Sequence, residues 1–183
     1  MDNYIRLMEQ VCGLLDLKAK TYQSGDFLFH QGQHEPRLFW IKQGLVKMSF
    51  FEPNGKEFVK AFLIENDLAG SLLSVVFGKP SPYATICMEQ SEIVAIPYAG
   101  IKKCVASNPA LANVELEFMQ HLTARKEDRE YQFLCLSPEE RYERFLLQYP
   151  DVYKRISQAE LARFLGITPV ALSRIKKRTK LVT

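Results

Sequence analysis

The apolar positions change their period twice along the chain, and each change marks a new part. Up to about residue 20, Ile5, Met8, Val11, Cys12, Leu14 and Leu15 recur at three- and four-residue spacing, which predicts a short packed helix. From Tyr22 to about Ile96 the pattern becomes short runs rich in aromatic and β-branched residues, at 27–29, 38–41, 46–51, 57–62, 84–86 and 93–96. Turn residues separate them, namely Ser24-Gly25-Asp26, Gln31-Gly32-Gln33, Gln43-Gly44 and Pro53-Asn54-Gly55-Lys56. The last predicts a tight hairpin in which Asn-Gly supplies the positive φ angles. So many short strands in succession predict a β-sandwich, jelly roll or small barrel.

After Pro97 the helical period returns. From about Pro109 to Leu136 it places Leu111, Val114, Phe118, Leu122 and Arg125 on one stripe, widened by Leu116, Met119 and Phe133. At about 1.5 Å per residue such a helix is roughly 40 Å long, more than one small domain covers, so its stripe is a candidate dimer seam. The alternative is a helix lying wholly against its own sandwich. Three further helices announce their starts. Ser137-Pro138-Glu139-Glu140 offers an N-cap, a proline at the first position and an acid reaching back. Ser157-Gln158-Ala159-Glu160 repeats the capping box, with Leu161, Ala162, Phe164 and Leu165 behind it and Gly166 as the stop. Thr168-Pro169 opens the last helix.

Charge alters the picture at this end only. The net charge of +3 over 183 residues conceals 14 Lys/Arg against 16 Asp/Glu before Ser137 and 10 against 5 from there onward. Residues 161–183 hold six basic side chains and no acid, which suits a polyanionic partner unless the stretch is merely a solvated tail. Two short helices around Gly166-Ile167-Thr168 have the form of a helix-turn-helix. Val170, Ser173, Arg174 and Lys177 then share a face opposite Leu172 and Ile175. Set into a major groove, that face places Arg174 for a bidentate guanine contact and Val170 against a thymine methyl. Thr168, Lys176, Arg178 and Lys180 read as phosphate contacts.

Other chemistry finds little support. Cys12, Cys87, Cys104 and Cys135 form no CxxC pair and read as buried reduced thiols. His30 and His34 flank Gly32 and motivate a rival reading, a cupin-like β-roll metal enzyme or ligand-binding protein, but the close His-x-His spacing of such sites is missing. No Ser-His-Asp or Cys-His arrangement has local motif support. No apolar run approaches a membrane span, and Met1-Asp2-Asn3-Tyr4 does not open a signal peptide, so the cytoplasm is expected. No cofactor and no metal are indicated.

Taken whole, the sequence resembles the Crp/Fnr transcription regulators. The resemblance rests on Ser24-Gly25-Asp26 with Gln31-Gly32, on the stretch from Phe39 to Lys47, and above all on the stretch from Ile156 to Ile175. It implies an α+β fold: a cyclic-nucleotide-binding-like β-roll, a double-stranded β-helix or jelly roll, over 1–108; a dimerisation helix over 109–136; and a winged-helix-like helix-turn-helix over 137–183. Only Leu181-Val182-Thr183 follow the basic helix, so the wing is expected to be short or missing. The resemblance further implies a homodimer on a partly palindromic double-stranded operator, with RNA polymerase and a small-molecule effector as candidate partners.

In family members that bind cyclic AMP, a Gly-Glu pair holds the ribose and an Arg-Ser or Arg-Thr pair holds the phosphate. Here Gly70-Ser71 and Ser81-Pro82 stand in those places, leaving Lys79 as the one nearby cation, so cyclic AMP is not expected to bind. Gly70, Ser71, Ser81, Tyr83 and Thr85 remain a candidate pocket for a different ligand, unless the roll is an empty relic. Pro169 and Val170 stand where the best-known members have Arg and Glu, so their operator does not transfer. An iron-sulfur sensor would need clustered N-terminal thiolates, and Cys12 is alone there. A last alternative is a regulator-derived interaction module that no longer reads DNA.

Overall fold

A computed structural model describes residues 2–179; the side chains at 2–4, Leu7, Pro109, Ala110 and Val114 lie outside the description. Lys180 and the expected short wing therefore fall beyond it, as does the place of Val114 in the seam.

Helix α1 (Asp2–Leu14) leads into eight strands: β1 (Lys20–Tyr22), β2 (Phe27–Phe29), β3 (Arg37–Gln43), β4 (Val46–Phe51), β5 (Glu57–Leu63), β6 (Leu68–Ala69), β7 (Ala84–Cys87) and β8 (Ser91–Pro97). They form two four-stranded antiparallel sheets, ordered β1-β8-β3-β6 and β2-β7-β4-β5, the two halves of a jelly roll. The six strand runs read from the sequence lie within β2, β3, β4, β5, β7 and β8; the short β1 and β6 had no such run. A six-residue helix, α2 (Leu72–Phe77), interrupts the roll before β7, and α3 (Tyr98–Ser107) follows it. Helix α4 (Pro109–Cys135) is the long helix, as its period predicted. Then come α5 (Pro138–Gln148), α6 (Pro150–Arg155), α7 (Gln158–Leu165) and α8 (Pro169–Thr179). Among the described residues four helices thus follow α4 rather than three, α6 being too short to show a period.

The Asn-Gly turn differs from its expectation. Gly55 has φ 83°, but Asn54 is not in the positive-φ region. The Gly55 amide donates to the Glu52 carbonyl, which puts Pro53 and Asn54 at the centre of the turn. Proline holds φ near −65°, so the loop takes a common turn followed by a left-handed glycine bulge.

Alternation along β3 explains how the roll is buried on both faces. Phe39 and Ile41 enter the interior with Phe29, Val46, Met48 and Leu63, whereas Leu38 and Trp40 face outward and are covered by Met8, Val11 and Cys12 of α1, Ile101 and Cys104 of α3, and Leu111 of α4. Leu111 is consequently part of the chain's own core and is not free to form a dimer seam. The second sheet is covered in the same way by the C-terminal helices. Leu45, Val59 and Phe62 share one apolar cluster with Tyr142, Phe145, Val152, Leu161, Phe164, Leu165 and Leu172. Head and roll therefore have a common core.

Candidate nucleic-acid interface and the roll cassette

The reading head is built from its caps inward. The Ser137 hydroxyl accepts from the Glu140 amide and the Glu140 carboxylate accepts from Ser137, completing the predicted capping box on α5. At α7 only half of the box forms: Ser157 Oγ accepts from the Glu160 amide at 3.2 Å, while the Glu160 carboxylate is drawn to Lys47 and Arg163. Gly166 ends α7 at φ 71°, and the Ile167 amide donates to the Ala162 carbonyl. A Cβ on Gly166 would lie 2.8 Å from Phe133 Cε1, so the turn needs glycine for conformation and for the passage of α4 beside it. Thr168 Oγ1 accepts from the Ala171 amide at 3.2 Å and starts α8.

On α8, Leu172 and Ile175 are buried and hold the helix to α7. Val170, Ser173, Arg174 and Lys177 are all exposed, on the face that their spacing predicted. The residues read as phosphate contacts are less alike. Lys176 donates to Gln158 Oε1 at 2.7 Å and lies 5.8 Å from the centre of the Tyr153 ring. Arg178 is paired with Glu139 of α5. That pair is exposed, and exchange for a phosphate costs an exposed pair little.

The cassette residues converge, but on one another. Tyr83 Oη donates to the Gly70 carbonyl at 2.8 Å, and Ser81 Oγ donates to the Tyr83 carbonyl at 2.7 Å. Ser71, Ser81, Tyr83 and Thr85 are buried, and among the described residues Thr85 Oγ1 has no hydrogen-bond partner. The Tyr83 ring packs against Phe29 and Phe50, and burial raises its pKa above the ordinary phenol value. Lys79 is exposed. His30 stacks on Phe27 with ring centres 4.2 Å apart, and no three potential metal ligands stand together among the described residues. Of the four thiols, Cys12, Cys87 and Cys104 are buried as expected, but Cys135 is exposed because it closes α4 where the chain turns away from the helix.

Sequence reasoning missed the contacts that fix the head on the roll. Lys47 Nζ lies 2.7 Å from Glu57 and 2.9 Å from Glu160, and Arg163 reaches both carboxylates. Arg155 makes two hydrogen bonds of 3.0 Å to Glu65 and also pairs with Glu89. These bonds hold the Glu65 carboxyl at about 2, well below the usual carboxylate range. Arg129 of α4 donates to the Phe164 carbonyl at 2.5 Å, with its guanidinium 3.7 Å from the Phe164 ring centre and 4.3 Å from that of Phe133. Lys47 and Glu160 stand 113 positions apart in the sequence, so no local pattern pairs them.

Residues 19–108 match the family model described as the cyclic nucleotide-binding domain. The global nitrogen regulator of Synechococcus elongatus is 29% identical over 107 residues, covering 57% of this chain and 48% of that protein. The fumarate and nitrate reduction regulatory protein of Vibrio cholerae is 25% identical over 185 residues, covering 93% of this chain and 72% of that protein. The chain thus spans about half of the first relative and nearly three quarters of the second. Among solved structures, FixK2 from Bradyrhizobium japonicum superposes with a TM-score of 0.78 at 14% identity, covering 90% of this chain and 85% of that one. Among the described residues, no helix is long and apolar enough to cross a membrane. The homologues of this chain are Crp/Fnr regulators, and its roll, long helix and two-helix head share their fold.

Proposed function

We propose that the chain is a homodimeric, sequence-specific DNA-binding transcription regulator acting in the cytoplasm. The exposed face of α8 carries this reading: Val170, Ser173, Arg174 and Lys177 project from a helix anchored by the buried Leu172 and Ile175 and preceded by the Gly166 turn. Two such heads, set apart by paired α4 helices, would meet half-sites about 34 Å apart on a partly palindromic operator. Phe118 and Leu122 are half-buried and Leu116 is 57% exposed within one chain, which leaves apolar surface on α4 for the partner helix. Arg125 is paired with Asp67 and borders that surface. The relatives are regulators, and no reaction is assigned to this chain.

Arg174 reads bases in this scheme. Selection of bound duplexes from a random library is expected to enrich a two-half-site sequence, and Arg174→Ala is expected to cost about 1–3 kcal/mol on that sequence while relaxing its preference at one position. Equal weakening on every sequence would reduce Arg174 to a phosphate contact, and no enrichment by the wild type would favour the interaction module.

The regulator works without cyclic AMP. A phosphodiester needs cations or several N–H donors in place of water, and here the Ser81 hydroxyl and Tyr83 phenol are committed to neighbouring carbonyls. Calorimetric titration with cyclic AMP is expected to give no saturable heat; micromolar affinity would overturn this assignment.

A further inference from the structure

The basic side chains of the head are held in two ways. Arg144, Lys154, Arg155, Arg163 and Arg178 each meet at least one carboxylate, which neutralises the charge that it orients. Lys176 is different. Its ammonium donates to the Gln158 amide oxygen at 2.7 Å and lies against the Tyr153 ring, and among the described residues it meets no carboxylate. Neutral oxygens fix where this cation sits and leave its charge intact.

The holders come from separate helices. Tyr153 lies on α6, Gln158 opens α7, and Lys176 is on α8. Behind them stands Tyr142 of α5, which is 4% exposed and belongs to the apolar core of the head with Phe145 and Ile175. A hydrogen bond with Tyr142 first, opposed by burial, and then bonds with Lys176 and Gln158 hold the Tyr153 phenol below its ordinary pKa. Burial first, and then Tyr153, push the Tyr142 phenol up. Opposite shifts in two bonded phenols make Tyr142 the donor and the Tyr153 oxygen the acceptor, and an acceptor oxygen is what an ammonium can use. The oxygen beside Lys176 is thereby tied to the core. A free lysine loses rotamer freedom when it takes up a phosphate, whereas Lys176 has lost it already on folding.

We infer that Tyr153 and Gln158 are positioning residues that hold Lys176 ready for one phosphate of the DNA backbone, beside the first turn of α7. This role rests on the DNA-binding reading above and deepens it.

The test is binding of the full chain to a duplex of random sequence over a range of KCl concentrations, which needs no operator. Lys176→Met is expected to weaken binding by about tenfold and to flatten the slope of log K against log[KCl] by about 0.9, the share of one phosphate. Tyr153→Phe keeps both the ring and the lysine charge, so it is expected to weaken binding about three- to tenfold with the slope unchanged. Gln158→Ala, at an exposed position, should do the same without touching a buried hydroxyl. In a Lys176→Met background neither substitution should weaken binding further, because nothing remains to be positioned. Without DNA, ultraviolet titration should show one phenol ionising below the ordinary range, a step that Tyr153→Phe removes and Lys176→Met moves upward. Wild-type binding by Tyr153→Phe and Gln158→Ala, or equal weakening by them in both backgrounds, would overturn the positioning role and leave DNA binding standing. A phenol step that Lys176→Met does not move would overturn the contact itself. Failure of the wild type to bind any duplex would overturn the DNA-binding reading and this role with it, and the phenol titration tells the two failures apart.

Discussion

Phe164→Ala is expected to destabilise the protein by about 3–5 kcal/mol, the cost of emptying a large aromatic site in a core that cannot close over it. Phe164 stacks on Phe62 of the roll at 5.4 Å, meets Phe145 edge-on at 5.0 Å and lies under the Arg129 guanidinium. Its truncation therefore removes contacts to the roll, the long helix and the head at once. Urea unfolding followed by near- and far-ultraviolet dichroism measures this. The expected curve keeps one transition at a lower midpoint, because the cluster that loses Phe164 is shared by both parts. A loss under about 1 kcal/mol would show that head and roll do not depend on this packing.

Lys47→Met is expected to have a comparable effect through charge. Lys47 is 7% exposed and faces Glu57 and Glu160, whose carboxylates share its ammonium. Removing the central cation leaves two largely buried acids with only Arg163 between them, and breaking such a pair costs about 3–5 kcal/mol. The sign of the pH dependence separates this from simple loss of packing. In the wild type, burial pushes the Glu57 carboxyl up, but Lys47, Ser49 and Arg163 outweigh it and hold its pKa below the ordinary value. Without Lys47 burial prevails, the folded-state pKa rises above the unfolded one, and protonation stabilises the folded state as pH falls toward the unfolded carboxylate range. The deficit of the variant at pH 7 should therefore shrink at pH 5. Adding Glu160→Gln should restore part of it, a coupling that a double-mutant cycle measures. A deficit unchanged by pH and by the second substitution would assign Lys47 a packing role only.

Both effects arise at a surface that the chain does not advertise. The period of α4, the capping box of α5, the Gly166 stop and the exposed quartet on α8 were all legible, because each depends on residues within a few positions of one another. The Asn-Gly hairpin was legible in place but not in type, since Pro53 occupies a central position of the turn. Leu111 carries the same helical signal as Phe118 and Leu122, yet it is buried in its own chain, because α1 and α3 reach only the beginning of α4.

The order of the parts, the β-roll, the long helix and the basic reading helix, follows from local periodicity, caps and glycine turns. Which polar residues are buried and paired depends instead on how distant segments pack. Lys47 is 113 positions from Glu160 and Arg155 is 90 from Glu65, so their pairing depends on the docking of the head on the second sheet. Burial of a charge and the presence of its partner are properties of packing between distant segments, and a local pattern of residues carries no record of either.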